Sequence, residues 1–429
     1  MQIYVVQQGD SLWSIANAFN SSVEQIALAN ELPEPENLLV GQALVIPIEG
    51  NFYTARRGDS LWLIGNRFGV NYLELARING LNPNATLSVG TRIYIPPRPR
   101  MQAVANAYIE PVNGPASAAL LSNARRAAPT LTYLAPFSYE ARADGSLAPV
   151  DLSGIPEIAS EFGNSLMMVV TNIEDGQFSD TLARDILQSS AVQNLLVDNI
   201  IAEAARVGRF TDIHFDFEFM PAELKTAYTN FLAMAAERLR NEGYLVSAAL
   251  APKTSADQPG QWYAAHDYAA IGAIVDFVVI MTYEWGYSGG PPLPVSPIGP
   301  VEAVLSFAIS QMPAQKILMG QNLYGYDWTL PYVPGGPFAR AISPQLALSI
   351  ARQYMVEIQY DAVAQAPFFY YTDTSGARHI VWFEDARSVQ AKFDLIKRLG
   401  LRGISYWKLG LPFPQNWLLL ADNFNIVKN

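Results

Sequence analysis

The stretch RFTDIHFDFEFMP, residues 209–221, decides how this chain is read. Its residues alternate: Ile213, Phe215, Phe217 and Phe219 are apolar, while Asp212, His214, Asp216 and Glu218 are polar or charged. Such alternation predicts a β-strand, whose successive side chains point to opposite faces. The apolar row suits a packed helix layer. The polar row suits no ordinary core, because each ionisable group taken out of water costs several kcal/mol unless it shares protons and hydrogen bonds.

Short apolar runs like this one recur down the chain. They are VANAYIEP (104–111), LTYLAPFSY (131–139), LMMVVTNI (166–173), DIHFDFEFM (212–220), LVSAALAP (245–252), DFVVIMTYEW (276–285), KILMGQNLYGY (316–326) and RGISYWKLG (402–410). Helical stretches such as 184–208 and 225–243 lie between them. Strands alternating with helices predict an α/β fold, here a (β/α)₈ TIM barrel over residues 103–429. A doubly wound sheet competes, but it needs fewer strands and a Gly-rich phosphate loop that is not seen. In a barrel, Ile213, Phe215 and Phe217 face the helices, and His214, Asp216 and Glu218 point inward. Glu218 lies nearest the strand's C-terminal end, where barrel enzymes keep their active sites. Asp212 is read as structural, outside that row. The segment between the last two runs is too long for one helix. APFFYYTDTSGARHIVWF (366–383) reads as a hairpin around Ser375-Gly376, so a small α+β insertion is expected at about 335–385.

The N-terminal region repeats itself. YVVQQGDSLWSIANAF (4–19) returns as YTARRGDSLWLIGNRF (53–68), ALANEL (27–32) as ARINGL (76–81), and LLVGQALVIP (38–47) as LSVGTRIYIP (87–96). Each copy reads strand, helix, helix, strand, with Ser11 and Ser60 as helix N-caps. Both copies resemble lysin motif (LysM) domains, βααβ modules that bind N-acetylglucosamine-containing polysaccharide. They are placed at 1–48 and 51–97, followed by a Pro-rich linker at 98–102. Two such modules on a short tether raise avidity.

Composition narrows the function. The chain has 429 residues, half of them hydrophobic, enough for two or three domains. A formal net charge of −11 argues against nucleic acid or an anionic membrane as partner. With no cysteine and three scattered histidines, neither a metal nor another cofactor is expected. No signal-peptide pattern and no transmembrane run is read, and a monomer is expected.

The opening stretch also resembles the D-x-x-D-x-D-x-E motif of glycoside hydrolase family 18, the chitinase and chitobiase family. Thr211, His214, Asp216 and Glu218 fill its four positions, so the first two Asp are replaced. MTYEW (281–285) and GISYW (403–407) fall where the family has its sixth- and eighth-strand motifs. NAYIEPVN, QNLYGYDW and HIVWFEDARS resemble the spore-cortex fragment-lytic N-acetylglucosaminidases of that family, which also carry tandem LysM modules. The resemblance implies hydrolysis of β-1,4 bonds at N-acetylglucosamine in spore-cortex peptidoglycan. It implies Glu218 as acid and base, Asp216 and Tyr283 on the acetamido group, and Trp407 under the sugar. At His214, a neutral imidazole is expected to donate to Asp216 and a protonated one to hold it ionised. Asn172, Glu284, Asn322, Tyr324 and Trp285 are candidate sugar contacts, and Asp327 and Glu384 candidate surface ion pairs. A chitinase, or a non-catalytic glycan-binding coat protein, is the alternative. A protein made in the mother cell and laid onto the spore is the expected location.

The two repeats differ in charge. The first has Asp10, Glu24, Glu31, Glu34 and Glu36 but no Lys or Arg; the second has Arg56, Arg57, Arg67, Arg77 and Arg92. The second copy is therefore expected to retain anionic, peptide-bearing glycan in a salt-sensitive manner, and the first to prefer neutral sugar. Pull-downs of the separate copies at low and high salt check this; equal, salt-insensitive binding contradicts it.

Overall fold

The computed structural model describes every residue except 35, 36, 85, 98, 113 and 429. Glu36 of the acidic set and position 98 of the expected linker lie outside the described residues. Eight parallel strands form the barrel: β1 (Met101–Ile109), β2 (Tyr133–Pro136), β3 (Ser165–Thr171), β4 (Phe210–Asp216), β5 (Leu245–Leu250), β6 (Phe277–Ile280), β7 (Ile317–Asn322) and β8 (Gly403–Trp407). β4 pairs with β3 and β5, and β8 with β7 and β1, so the ring closes. Each strand coincides with one of the eight apolar runs. A short strand at Phe424–Ile426 extends β1 at its start.

The alternation in β4 sorts its side chains as the pattern predicts. Phe215 meets Phe231 edge-on at 5.3 Å, and Phe217 stacks on Tyr228 at 5.8 Å. Tyr228 and Phe231 belong to the helix Lys225–Asn241 outside the barrel. The stretch expected as one helix over 184–208 is two, Asp180–Leu187 and Ser190–Val207. Ser189 breaks it: its side chain accepts the Val192 N–H and caps the second helix.

Between β7 and β8 lies a five-stranded antiparallel sheet with the helix Pro344–Gln353. It starts at Gly325, earlier than the expected position near 335, because Gly325–Leu330 is an inner strand of this sheet, between Arg340–Ile342 and Arg378–Trp382, and not a barrel loop. The hairpin around Ser375-Gly376 joins Ala366–Thr372 to Arg378–Trp382. Asp327 and Glu384 are buried, not surface ion pairs. Asp327 takes the Tyr371 hydroxyl at 2.7 Å and faces His379 Nδ1 at 2.9 Å. Glu384 accepts two hydrogen bonds from Lys392 Nζ, at 2.8 and 2.9 Å, where both side chains are about 2% exposed or less.

The N-terminal copies are packed rather than tethered. In the first, the turn before the closing strand Ala43–Ile46 is docked on the insertion and on the helices near the C-terminus. Ile358 N–H donates to Val40 O at 2.9 Å, Arg387 to Gly41 O at 3.1 Å, and Gln415 to Asn30 Oδ1 and Ala43 O at 2.7 and 2.9 Å. Gly41 has φ +81°, and a Cβ there would sit 1.9 Å from Ile358 O, so only glycine permits this approach. The second copy rests on the first: Phe52 N–H donates to Gln2 at 2.7 Å, and the Arg92 guanidinium lies 3.7 Å from the Phe52 ring and 5.1 Å from Phe19. Arg92 therefore serves the contact between copies, and Arg67 bonds Tyr53.

The buried Lys392–Glu384 pair yields a stability test. Lys392→Met leaves a carboxylate buried without its cation and is expected to destabilise the fold by about 3–5 kcal/mol. Lys392→Met combined with Glu384→Leu is expected to recover most of that loss, because no buried charge remains. Denaturant unfolding of both variants checks the pair; equal losses contradict the argument.

Candidate active site

A cleft of about 590 Å³ opens at the C-terminal ends of the barrel strands. Tyr108, Asp216, Glu218, Trp262, Tyr283, Glu284 and Trp407 are among its lining residues. Of the ten residues proposed from sequence, Asp216, Glu218, Tyr283, Glu284 and Trp407 line it, and His214, Asn172, Asn322, Tyr324 and Trp285 do not.

β4 ends at Asp216, and Glu218 stands just beyond it, where the barrel opens. Both side chains are buried. Burial pushes the Glu218 carboxyl well above the usual carboxylate range, the neighbouring Asp216 pushes it further, and a hydrogen bond from Trp262 Nε1 pulls against both. Burial also raises Asp216. Asp216 Oδ1 has no hydrogen-bond partner among the described residues. A carboxyl group placed like Glu218 is set to hold a proton near neutral pH and to give it away in a dry site.

Asn172 belongs under this machinery rather than against a sugar. It is fully buried. Its Oδ1 accepts the Glu218 N–H at 2.9 Å and its Nδ2 donates to Glu218 O at 3.0 Å. One amide thus clamps both backbone groups of Glu218. His266 adds a third hold. Its Nδ1 accepts the Ala251 N–H at 2.9 Å, so its Nε2 carries the proton and donates to Phe217 O at 2.9 Å.

His214 does not bond Asp216, contrary to expectation. Its ring nitrogens face Tyr108 Oη at 2.8 Å and Ser247 Oγ at 2.7 Å. Burial pushes the imidazole down to about 3, so ordinary acid conditions leave it neutral. Asp212 joins the inward row after all, since it shares the parity of His214 and Asp216; Ser247 Oγ donates to it at 2.6 Å. Burial pushes Asp212 up to about 8, against the pull of that hydrogen bond.

Tyr283 and Glu284 follow β6 and line the cleft. Burial raises the Glu284 carboxyl, while hydrogen bonds from Tyr324 and Tyr326 oppose the shift. Tyr324 therefore acts on Glu284 from behind and is itself buried. Asn322 is fully buried, and its Nδ2 donates to Tyr324 O at 2.7 Å. Trp285 lines an adjoining groove with Pro252, Thr254 and Gln258 instead of the main cleft. Trp407, at the end of β8, is partly exposed on the floor and is braced edge-on by Phe137 at 4.8 Å and Tyr108 at 5.4 Å.

Sequence reasoning missed the wall on the Glu218 side. Trp262 and Tyr263 come from the loop after β5, and Trp262 stacks on Phe219 at 6.1 Å with the rings 11° apart. Phe219 holds φ +53°, a conformation bulky residues rarely adopt, and its ring is about 42% exposed. The available signal was position: the GQWY run (260–263) lies in the loop that follows the C-terminal end of β5.

The Trp262 hydrogen bond favours the ionised form of Glu218, so its removal raises the pKa of that group. Trp262→Phe is expected to keep Glu218 protonated to higher pH and to move the alkaline limb of the kcat/KM profile upward. A limb that stays or moves downward contradicts this electrostatic assignment.

Comparison with known proteins agrees with this geometry. The model of glycosyl hydrolases family 18 matches residues 163–411, and the LysM domain model matches 4–47 and 53–96. A cortical fragment-lytic enzyme of Bacillus subtilis (strain 168) is 60% identical over 428 residues, covering 100% of this chain and 99% of that protein. One of Bacillus anthracis is 53% identical over 429 residues, covering 100% and 99%. The crystal structure of a spore cortex-lytic enzyme of Bacillus megaterium QM B1551 superposes with a TM-score of 0.91 at 52% identity, covering 100% of this chain and 99% of that one. A chitinase of Chromobacterium violaceum ATCC 12472 gives 0.68 at 25% identity, over 75% of this chain and 98% of that one. The chain therefore belongs to glycosyl hydrolases family 18: it is a glycoside hydrolase with two LysM domains ahead of its barrel.

Proposed function

We propose that this enzyme hydrolyses spore-cortex peptidoglycan at the β-1,4 bond of N-acetylglucosamine, with retention, using the substrate's own acetamido oxygen as nucleophile. The observation that carries the mechanism is the pairing of a buried, proton-holding Glu218 with an Asp216 oxygen that has no hydrogen-bond partner among the described residues. A retaining glycosidase with a protein nucleophile uses a second carboxylate for attack; family 18 is the exception, in which the substrate supplies it. Asp216 precedes Glu218 on the same row and is suited to accept the acetamido N–H instead.

In this reading Glu218 donates its proton to the leaving glycosidic oxygen as the acetamido oxygen closes on the anomeric carbon. An oxazolinium ion forms, with Asp216 accepting its N–H and offsetting its positive charge. Tyr283 donates to the acetamido oxygen. Trp407 stacks under the apolar face of the sugar. Glu218, now ionised, takes a proton from water, which opens the ring from the face the leaving group vacated. Asn172, His266 and Trp262 hold Glu218 for both steps. The substrate class is supported by the paired LysM domains and by relatives named for cortical fragments. A spore-associated location is supported by the same relatives. Among the described residues, no helix is long and apolar enough to cross a membrane.

Digestion of purified cortex, vegetative wall and chitin, with mass spectrometry of the new ends, is expected to show reducing N-acetylglucosamine termini from cortex. Glu218→Gln is expected to lower turnover by about 10²–10⁴-fold while retaining binding. Glycan stripped of N-acetyl groups is expected to resist cleavage; undiminished cleavage would falsify the mechanism. Faster release from chitin than from cortex would move the assignment to a chitinase.

A further inference from the structure

Beneath Asp216 the barrel holds a chain of buried polar groups that no step above uses. Tyr108 comes from β1, Asp212 and His214 from β4, and Ser247 from β5. The register of β4 on β5 sets His214 opposite Ser247. Tyr108 Oη lies 2.8 Å from His214 Nε2, His214 Nδ1 lies 2.7 Å from Ser247 Oγ, and Ser247 Oγ donates across 2.6 Å to Asp212 Oδ1. All four side chains are buried, and only Tyr108 lines the cleft.

Counting protons gives the chain a direction. A serine hydroxyl carries one proton, and Ser247 gives it to Asp212 Oδ1; a proton that burial keeps on the Asp212 carboxyl belongs on Oδ2, which has no partner among the described residues, so Oδ1 stays an acceptor. The Ser247 oxygen is then the acceptor for His214 Nδ1–H. A neutral imidazole has one N–H, so Nε2 is bare and takes the Tyr108 hydroxyl proton. Every proton in the chain points away from the cleft. Beside it, Asp216 Oδ1 is buried without a partner among the described residues, the state an incoming N–H relieves. The other charged groups acting on Asp212 are Asp276 and Arg402, and neither is a member of the chain.

We propose that Asp212 and Ser247 are positioning residues: they hold His214 as its Nδ1–H tautomer, which draws the Tyr108 proton inward and keeps Asp216 Oδ1 open for the acetamido N–H. This rests on the acetamido-assisted reading. Cutting the chain reverses it. Without Ser247 Oγ, His214 moves its proton to Nε2 and donates to Tyr108 Oη. The Tyr108 oxygen, which also takes a hydrogen bond from Ser405, can then turn its own proton to Asp216, whose charge acts on it more strongly than that of Glu218 or Asp212. Substrate must displace that bond before reacting.

The chain has three histidines, so ¹⁵N-histidine NMR on the full-length enzyme resolves their tautomers readily. His214 is expected as the Nδ1–H form in the wild type and as the Nε2–H form in Ser247→Ala. Turnover of an N-acetylated glycan is expected to fall about tenfold in Ser247→Ala, the worth of one neutral hydrogen bond, with KM little changed. Ser247→Thr keeps a hydroxyl and is expected to restore both readouts. In a Tyr108→Phe background, which has no phenol proton to block Asp216, adding Ser247→Ala is expected to cost no further turnover. An Nε2–H tautomer in the wild type overturns the proposal, and that measurement decides even if Ser247→Ala does not fold. A tautomer switch with unchanged turnover, or an equal loss in both backgrounds, also overturns it. If the wild type cleaves glycan with and without N-acetyl groups equally well, the acetamido reading fails instead, while the tautomer result still stands or falls by itself.

Discussion

The removal of two adjacent carboxyl groups from water is the constraint around which the barrel's open end is built. Asp216 ends β4 and Glu218 lies two residues beyond it, so the alternation of the strand carries both to the same interior. Neither has a cation beside it among the cleft-lining residues. Burial therefore favours the protonated form, and mutual repulsion adds to that preference at Glu218. An ion pair in this place would stabilise the fold better and disable the acid. The protein meets the cost elsewhere: Phe215 and Phe217, on the opposite face of the same strand, pack into the helix Lys225–Asn241.

Much of this was legible in the residues. The period-two alternation identified β4 and its inward row, and eight such runs gave the barrel, because side-chain direction in a strand follows from backbone geometry alone. Roles that depend on which groups meet across the barrel were not legible. His214 lies next to Asp216 in the row, yet its hydrogen bonds run across the barrel to β1 and sideways to β5. Asn172 sits at the end of β3 like a sugar contact, but reaches sideways to the backbone of Glu218. Lys392 and Glu384 are eight residues apart, and nothing local distinguishes their buried pair from a solvated one. Asp212 could have been placed from parity alone, since it is two residues before His214.

The candidate sites divide by depth. Trp407 ends β8 and Asp216 ends β4, where the strand geometry of the barrel fixes position. Trp262, Tyr263 and Phe219 come from loops, where it does not. The loop after β5 is nevertheless held firmly: Lys253 Nζ donates to Ala256 O and His266 O, and Tyr268 Oη both accepts from Lys253 N and donates to Ala251 O. A loop pinned at both ends can present Trp262 to Glu218 without relying on substrate to order it.

The packing of the N-terminal copies changes how avidity operates. On a flexible tether, a second glycan contact is strengthened by a high effective concentration spread over many geometries. Here the first copy is hydrogen-bonded to the insertion and to the C-terminal helices, and the second leans on the first through Arg92 and Phe52. The distance from each copy to Glu218 is then fixed by protein contacts rather than by linker length. A glycan strand engaged at a LysM copy reaches the cleft only if its own geometry spans that separation. The docked arrangement thus narrows which strands gain from two-site contact, trading reach for register. Gly41 is central to that choice: in the first copy its missing side chain lets Ile358 close on the turn, whereas the equivalent Gly90 in the second has open space around it. The same motif glycine is an interface residue in one repeat and a free turn in the other, and this difference arises from what the barrel and its insertion place against each copy.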